Sequence, residues 1–164
     1  MSHLESVVYE APGWGVGELV YRDDVAIHHE APEDVDRPGS PPRTRAQREL
    51  IDLLIAYFAG RRVSFAGFDL APTLAWAGVT PFEERCLREL QAVPYGDTVS
   101  YGELARRAGR DRAHRAAGSV CARGTLSIVV PYHRVIRADG SIGGWGPAGN
   151  ASKLRLLRME GLHL

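Results

Sequence analysis

The residues best equipped for chemistry stand together at Pro131-Tyr132-His133-Arg134, where a phenol, an imidazole and a guanidinium follow the apolar, partly β-branched run 126–130. A buried strand that delivers polar side chains at its end is a common way to build a site. The two thiols, Cys86 and Cys121, fall in separate helix-like segments and at spacings of neither a disulfide framework nor a zinc site. Each reads as a small buried hydrophobe rather than a nucleophile. His28-His29 alone is a weak ligand pair, so the sequence predicts no metal, and it points to no cofactor.

A second kind of chemistry is carried by charge. The chain has 164 residues and a formal net charge of zero, yet residues 1–79 hold 12 Asp/Glu against 7 Arg, while residues 80–164 hold 8 Asp/Glu against 13 Arg/Lys. The basic half is densest over 101–137, where Arg106, Arg107, Arg110, Arg112, Arg115, Arg123, Arg134 and Arg137 face Glu103 and Asp111 alone. Such a concentration suits phosphate contacts, and on charge alone a solvated arginine-rich face fits equally well.

These residues need elements to hold them. Short apolar runs at 6–9, 18–21 and 25–28, with Pro12-Gly13-Trp14-Gly15 as a turn, predict a small sheet. The proline-rich stretch 31–43 reads as a loop. Leu50, Leu53, Leu54, Tyr57 and Phe58 recur at helical spacing and Gly60 follows as a stop, predicting a helix over 44–59 that packs on the sheet. Residues 61–79 read as irregular, and the domain boundary falls near Gly78.

Beyond it, Thr80-Pro81-Phe82-Glu83 and Ser100-Tyr101-Gly102-Glu103 each have the form of a capping box, heading helices to about Val93 and Gly109. Asp111 is the expected N-cap of a compact helix over 113–122, giving a helix, tight turn and helix of DNA-binding type. Asp139-Gly140 signals a hairpin within 135–144. Asn150 is the expected cap of a last helix that stops at Gly161. The fold class is therefore α+β: a small N-terminal sheet-plus-helix domain, 1–78, then a mostly helical C-terminal domain, 79–164, with a helix-turn-helix. The 45% apolar composition suffices for a core. The N-terminus lacks a signal-peptide pattern and no apolar run nears the roughly 20 residues that span a bilayer. A cytoplasmic, nucleoid-associated monomer is expected.

Pro131-Tyr132-His133-Arg134-Val135-Ile136 resembles the Pro-Cys-His-Arg-Val signature of the O6-alkylguanine-DNA alkyltransferases, with tyrosine where that family has its acceptor cysteine. The likeness runs through Thr80-Pro81-Phe82, Val93-Pro94-Tyr95-Gly96-Asp97-Thr98, Ser100-Tyr101-Gly102-Glu103-Leu104-Ala105, Arg115-Ala116-Ala117-Gly118, Asp139-Gly140 to Trp145, and Lys153-Leu154 to Glu160-Gly161. That covers the second half. Weaker likeness at Tyr57-Phe58-Ala59-Gly60 and from Phe65 to Leu70 reaches into the first. The family commonly has Asn-Pro eight residues before the acceptor, where the asparagine braces the site; here the pair is Gly124-Thr125.

The resemblance implies that 113–122 is a recognition helix in the minor groove, that Arg115 takes the place of the extruded nucleotide, and that Tyr101 pushes on the target phosphate. Ala116, Gly118, Ser119 and Arg123 join them as DNA-binding residues. Inspecting O6 of guanine requires taking the base out of the duplex, and small side chains let a helix approach the minor groove. The implied lesion pocket comprises Tyr101, Tyr132, Arg134, Val135, Trp145 and Gly146. His133 and Glu160 match the relay that activates the family's thiolate.

Phenols lose a proton near pH 10 and thiols near 8.5, and a phenol oxygen is the harder, poorer nucleophile toward an alkyl carbon. The expectation is therefore a catalytically inactive homologue with no catalytic residue, Tyr132 being a degenerate acceptor position and His133 and Glu160 relay remnants. It would bind O6-alkylguanine in double-stranded DNA by base flipping, without alkyl transfer, and signal to nucleotide excision repair proteins, like alkyltransferase-like members with tryptophan or alanine at this place. Alkyl transfer to Tyr132 or another acceptor, and a DNA-binding relic with a blocked pocket, stay open beside it.

Overall fold

The computed structural model describes residues 1–143 and 149–164, and the chain divides into two compact units. The first comprises Met1–Ala77 with Thr125–Ile128; the second comprises Gly78–Gly124 with Val129–Leu164.

The first unit is a three-stranded antiparallel sheet in the order β1 (Leu4–Ala11), β2 (Gly15–Arg22), β3 (Val25–Glu33), with helices α1 (Arg45–Phe58) and α2 (Ala71–Ala77). Alternation drives it: Val7, Tyr9 and Ala11 of β1 and Gly17, Leu19 and Tyr21 of β2 are buried at every second position. Asp23 and Asp24 close the β2–β3 hairpin with φ of 48 and 68°, the two left-handed residues of a type I′ turn that matches strand twist. A bulge between Val20 and Tyr21 lets the neighbours Ala26 and Ile27 both be buried. Gly15 is obligatory, because a Cβ there would lie 2.0 Å from the carbonyl oxygen of Glu33. Thr44 and Gln47 form a capping box at the head of α1, whose Leu50, Ile51, Leu54, Tyr57 and Phe58 are buried. Fully burying each such side chain contributes about 1.5–3 kcal/mol.

The second unit holds α3 (Pro81–Gln91), α4 (Tyr101–Arg107), α5 (His114–Ala122) and α6 (Gly149–Met159), with a two-residue parallel ladder between β4 (Val99–Ser100) and β5 (Val135–Ile136). Thr80 and Glu83 make the expected capping box, with Pro81 at the first position. Ser100 caps α4 through the Glu103 N–H, but the Glu103 carboxylate turns to Arg106 and Arg107 instead of completing the box. Ala105, Ala108 and Ala117 are fully buried, which brings α4 and α5 close. Among the described residues no helix is long and apolar enough to cross a membrane.

The α+β expectation holds, and several local ones do not. The loop expected at 31–43 starts late, since β3 continues through Pro32, which an edge strand tolerates because its missing N–H faces no partner. Residues 71–77 are helical, started by Asp69, whose Oδ1 accepts the Ala71 N–H. Asp111 is not the cap of α5: Ala113 holds that place with no side-chain bond, and Arg112 adopts a left-handed φ of 62°. Asn150 lies inside α6. Asp139-Gly140 does make a tight turn, with Gly140 N–H to Arg137 O at 2.9 Å and Arg137 N–H to Ser141 O at 2.9 Å, but only β5 flanks it as a strand.

The run 126–130 is not the expected strand. Ile128 has a φ of 74°, and Leu126 makes a single bridge to His29. His29 N–H donates to Thr125 O at 2.9 Å, and Ser127 Oγ donates to His29 O at 3.1 Å. The buried His29 ring donates Nδ1–H to the Ser127 carbonyl at 2.8 Å, so Nε2 accepts the Tyr9 hydroxyl at 2.7 Å. Burial pushes this imidazole down to about 3, so it stays neutral.

Candidate functional site

The strand expected to deliver Tyr132-His133-Arg134 is replaced by a single tight 3-10 turn, with Tyr132 N–H to Val130 O at 2.8 Å and Arg134 N–H to Pro131 O at 2.9 Å. All three side chains are buried, and β5 begins at the next residue. Glu160, one residue past α6, binds two of them, His133 and Arg134. Its Oε2 stands 2.6 Å from His133 Nε2, and its Oε1 accepts Arg134 Nε–H at 2.9 Å and the Gly96 N–H at 3.0 Å. Arg134 also donates to the carbonyl of Val93 at 2.8 Å, and Lys153 donates to Val135 O at 2.6 Å.

Burial alone would raise Glu160, but the hydrogen bonds from His133, Arg134 and the Gly96 N–H outweigh it and bring the carboxyl down to about 2. Burial lowers His133, so a neutral imidazole donates Nε2–H to an ionised carboxylate. Burial lowers Lys153 to about 8.

Tyr132 is only 7% exposed. Its ring occupies the space a side chain at position 124 would need, because a Cβ on Gly124 would lie 2.7 Å from Cε2 and Cζ of that ring. The space at position 124 is thus filled by the ring of Tyr132. The two thiols offer no substitute nucleophile. Burial pushes Cys121 up to about 12 and also raises Cys86, so both remain protonated.

Tyr101 heads α4 beside α5, within 3.8 Å of where a Cβ on Gly118 would sit. Burial raises its phenol, leaving a neutral O–H donor. A cavity of about 550 Å³ opens there, lined by Tyr101, Gly102, His114, Gly118, Arg137 and Ala138. Arg115 and Ser119 are exposed on α5, and Ala116 is half-buried next to them. Arg123 is tied to Glu83 of α3, Arg134 is turned inward, and Val135 is buried. Trp145 and Gly146 lie outside the described residues. His114 is a lining residue the sequence did not single out, whereas Arg137 stood only in the arginine cluster and Gly124 only as a departure from the family's pair. His114 was within reach, because it and Gly118 stand four apart on one helix face. No short-range signal showed that Gly124 meets the Tyr132 ring or that Arg137 joins Tyr101 at the cavity.

The DNA-binding domain of 6-O-methylguanine DNA methyltransferase matches residues 81–162. A methylated-DNA–protein-cysteine methyltransferase of Mycobacterium leprae is 41% identical over 76% of this chain and 71% of its own length. This chain belongs to the O6-alkylguanine-DNA alkyltransferase superfamily. A methyltransferase of the same name from Methanothermobacter thermautotrophicus is 36% identical over 89% of this chain and 80% of its own. Among solved structures, the Mycobacterium tuberculosis O6-methylguanine methyltransferase aligns with a TM-score of 0.70 at 30% identity, covering 98% of this chain and 93% of that one. M. tuberculosis OGT in complex with DNA aligns with a TM-score of 0.71 at 30% identity, covering 95% and 92%.

The superfamily corrects one expectation. Relatives at 36–41% identity are named methyltransferases, which are enzymes, and the reading of this chain as a catalytically inactive homologue does not stand against them. The weak nucleophilicity of a phenol was argued from one residue, and the buried His133–Glu160 pair is present beside it.

Proposed function

We propose that this chain recognises O6-alkylguanine in double-stranded DNA, laying α5 in the minor groove and drawing the lesion base out of the stack. The observation that carries the reading is α5 itself. Arg115 is exposed and, among the described residues, without an ion pair or side-chain hydrogen bond, and it is bordered by Ala116, Gly118 and Ser119. A free planar cation fills the gap left by an extruded base, and small neighbours let the helix backbone come close. Tyr101, protonated at the head of α4, donates to the backbone of the lesion-bearing DNA strand.

A second reading is favoured by the buried His133–Glu160 pair: transfer of the alkyl group to Tyr132. In that step the guanine O6–carbon bond breaks, a bond from carbon to the Tyr132 oxygen forms, and the phenolic proton ends on the guanine.

Titrating labelled duplex with and without one O6-methylguanine, followed by intact mass measurement of the protein, tests both. Tighter binding of the lesion duplex is expected, and equal affinity would remove lesion recognition. A mass gain of about 14 Da, one methylene on the acceptor, supports transfer; an unchanged mass removes the second reading.

A further inference from the structure

Of the eight arginines between positions 101 and 137, five are already held by the protein. Arg106 and Arg107 both bind Glu103, at 2.7 and 3.1 Å, Arg123 binds Glu83, and Arg134 binds Glu160. Arg110 lies 4.5 Å over the ring of Phe82. Arg112, Arg115 and Arg137 are left without an ion pair or side-chain hydrogen bond among the described residues. Arg112 and Arg115 belong to the turn and helix of the helix-turn-helix. Arg137 comes from a different part of the chain, one residue past β5.

Its position is specific. A Cβ on Gly143 would lie 3.6 Å from Tyr101 Oη and 3.7 and 3.8 Å from Cγ and Nε of Arg137, so the phenol and the guanidinium stand side by side against Gly143. Across the cavity they share stand His114 and Gly118 of α5. Among the described residues no carboxylate lines that cavity, and the polar side chains that do are a cation, a hydroxyl and an imidazole. This set attracts an anion. Neither Tyr132 nor His133 is among the lining residues, so the anion there is not the group at the alkyl-acceptor position. What remains of an extruded nucleotide is its diester backbone.

We propose that Arg137 is a further DNA contact of this protein, binding a backbone phosphate of the lesion strand together with the Tyr101 hydroxyl, on the wall of the cavity facing α5. The assignment rests on the proposed reading of α5 as the DNA-binding helix. It makes the loop after β5, and not the helix-turn-helix alone, part of the nucleic-acid interface.

The test compares wild type, Arg137→Ala and Arg137→Lys on three labelled duplexes: undamaged, with O6-methylguanine, and with an O6 adduct bearing a carboxylate. Each is titrated between 50 and 200 mM salt. Arg137→Ala should weaken all three several-fold and make the slope of log K against log salt shallower by about 0.9, the value of one phosphate contact. Arg137→Lys should keep the wild-type slope. The side chain is exposed, so thermal melting should be unchanged and a folding defect is readily separated.

Unchanged affinity and slope in Arg137→Ala would overturn the assignment. A loss confined to the carboxylate-bearing adduct would overturn it too, moving Arg137 from the backbone to the lesion substituent. A wild type with no lesion preference but a normal Arg137→Ala slope change would sink lesion recognition and leave Arg137 standing. A wild type that binds no DNA would sink both.

Discussion

Gly124→Ala is the smallest change that asks whether Tyr132 lies where the structure puts it. At a glycine with no left-handed φ and free space, alanine normally stabilises by about 0.4–1 kcal/mol through the unfolded chain. Here the new methyl would stand 2.7 Å from two ring carbons of Tyr132 and 3.0 Å from a third. The ring is buried and has little room to swing aside, so overpacking of about 1–3 kcal/mol opposes the gain. The net expectation is a loss of about 1–2 kcal/mol, or roughly 2–8 °C in melting temperature for a chain of this size. Tyr132→Ala alone should cost about 3–5 kcal/mol as a buried aromatic truncation. In the double variant the methyl enters the space the ring vacates, so the combined loss should be smaller than the sum by about 1–3 kcal/mol. Urea unfolding of the four proteins, followed by circular dichroism, measures this cycle. Additivity within about 0.5 kcal/mol would refute the packing of Tyr132 on Gly124.

Glu160→Gln keeps the shape of the side chain but leaves the Arg134 guanidinium buried without its counter-charge, and should cost about 3–5 kcal/mol in the same unfolding experiment. Acidification provides a second check. Because burial holds His29 near 3 against an ordinary 6.5, the unfolded chain binds a proton between those values that the folded chain refuses. Stability should therefore fall as pH drops below 6.5, by about 1.4 kcal/mol per pH unit at the steepest, and His133, also lowered by burial, acts in the same direction. Comparing urea midpoints at pH 7.5 and 5.5 should show the decline, and His29→Gln should flatten it whatever its baseline stability. A slope unchanged by that substitution would place the sensitivity elsewhere. Glu160, held near 2, adds its own loss only below about 4.5.

What was legible in the sequence followed from local rules. Period-two burial in β1 and β2, the capping box at Thr80 and Glu83, and the helical spacing of Leu50, Leu54 and Tyr57 are each decided within a few residues. What was not legible depends on distant partners. The run 126–130 has the composition of a buried strand, but Leu126 bridges to His29 and Ser127 hydrogen-bonds with it, about a hundred residues earlier, and Ile128 leaves the strand conformation altogether. His29 looked like half of a weak ligand pair and is a core residue held by Tyr9 and Ser127. The arginine count overstated the surface available to phosphate, because Glu83 reaches Arg123 across forty residues and Glu160 reaches Arg134 across twenty-six. Resemblance named the acceptor position, but only the fold shows that Gly124 is what accommodates the tyrosine there.

Past α5 the chain stays in the second unit through Gly124, lends Thr125–Ile128 to the first, and is back in the second by Val129, three residues before Tyr132. Leu126 and Ile128, in that loan, are essentially inaccessible to solvent. Cutting the protein near Gly78 would therefore not yield two modules. The C-terminal piece would carry Leu126 and Ile128 with their covering left behind in the N-terminal piece, in the stretch that joins α5 to the turn at Tyr132.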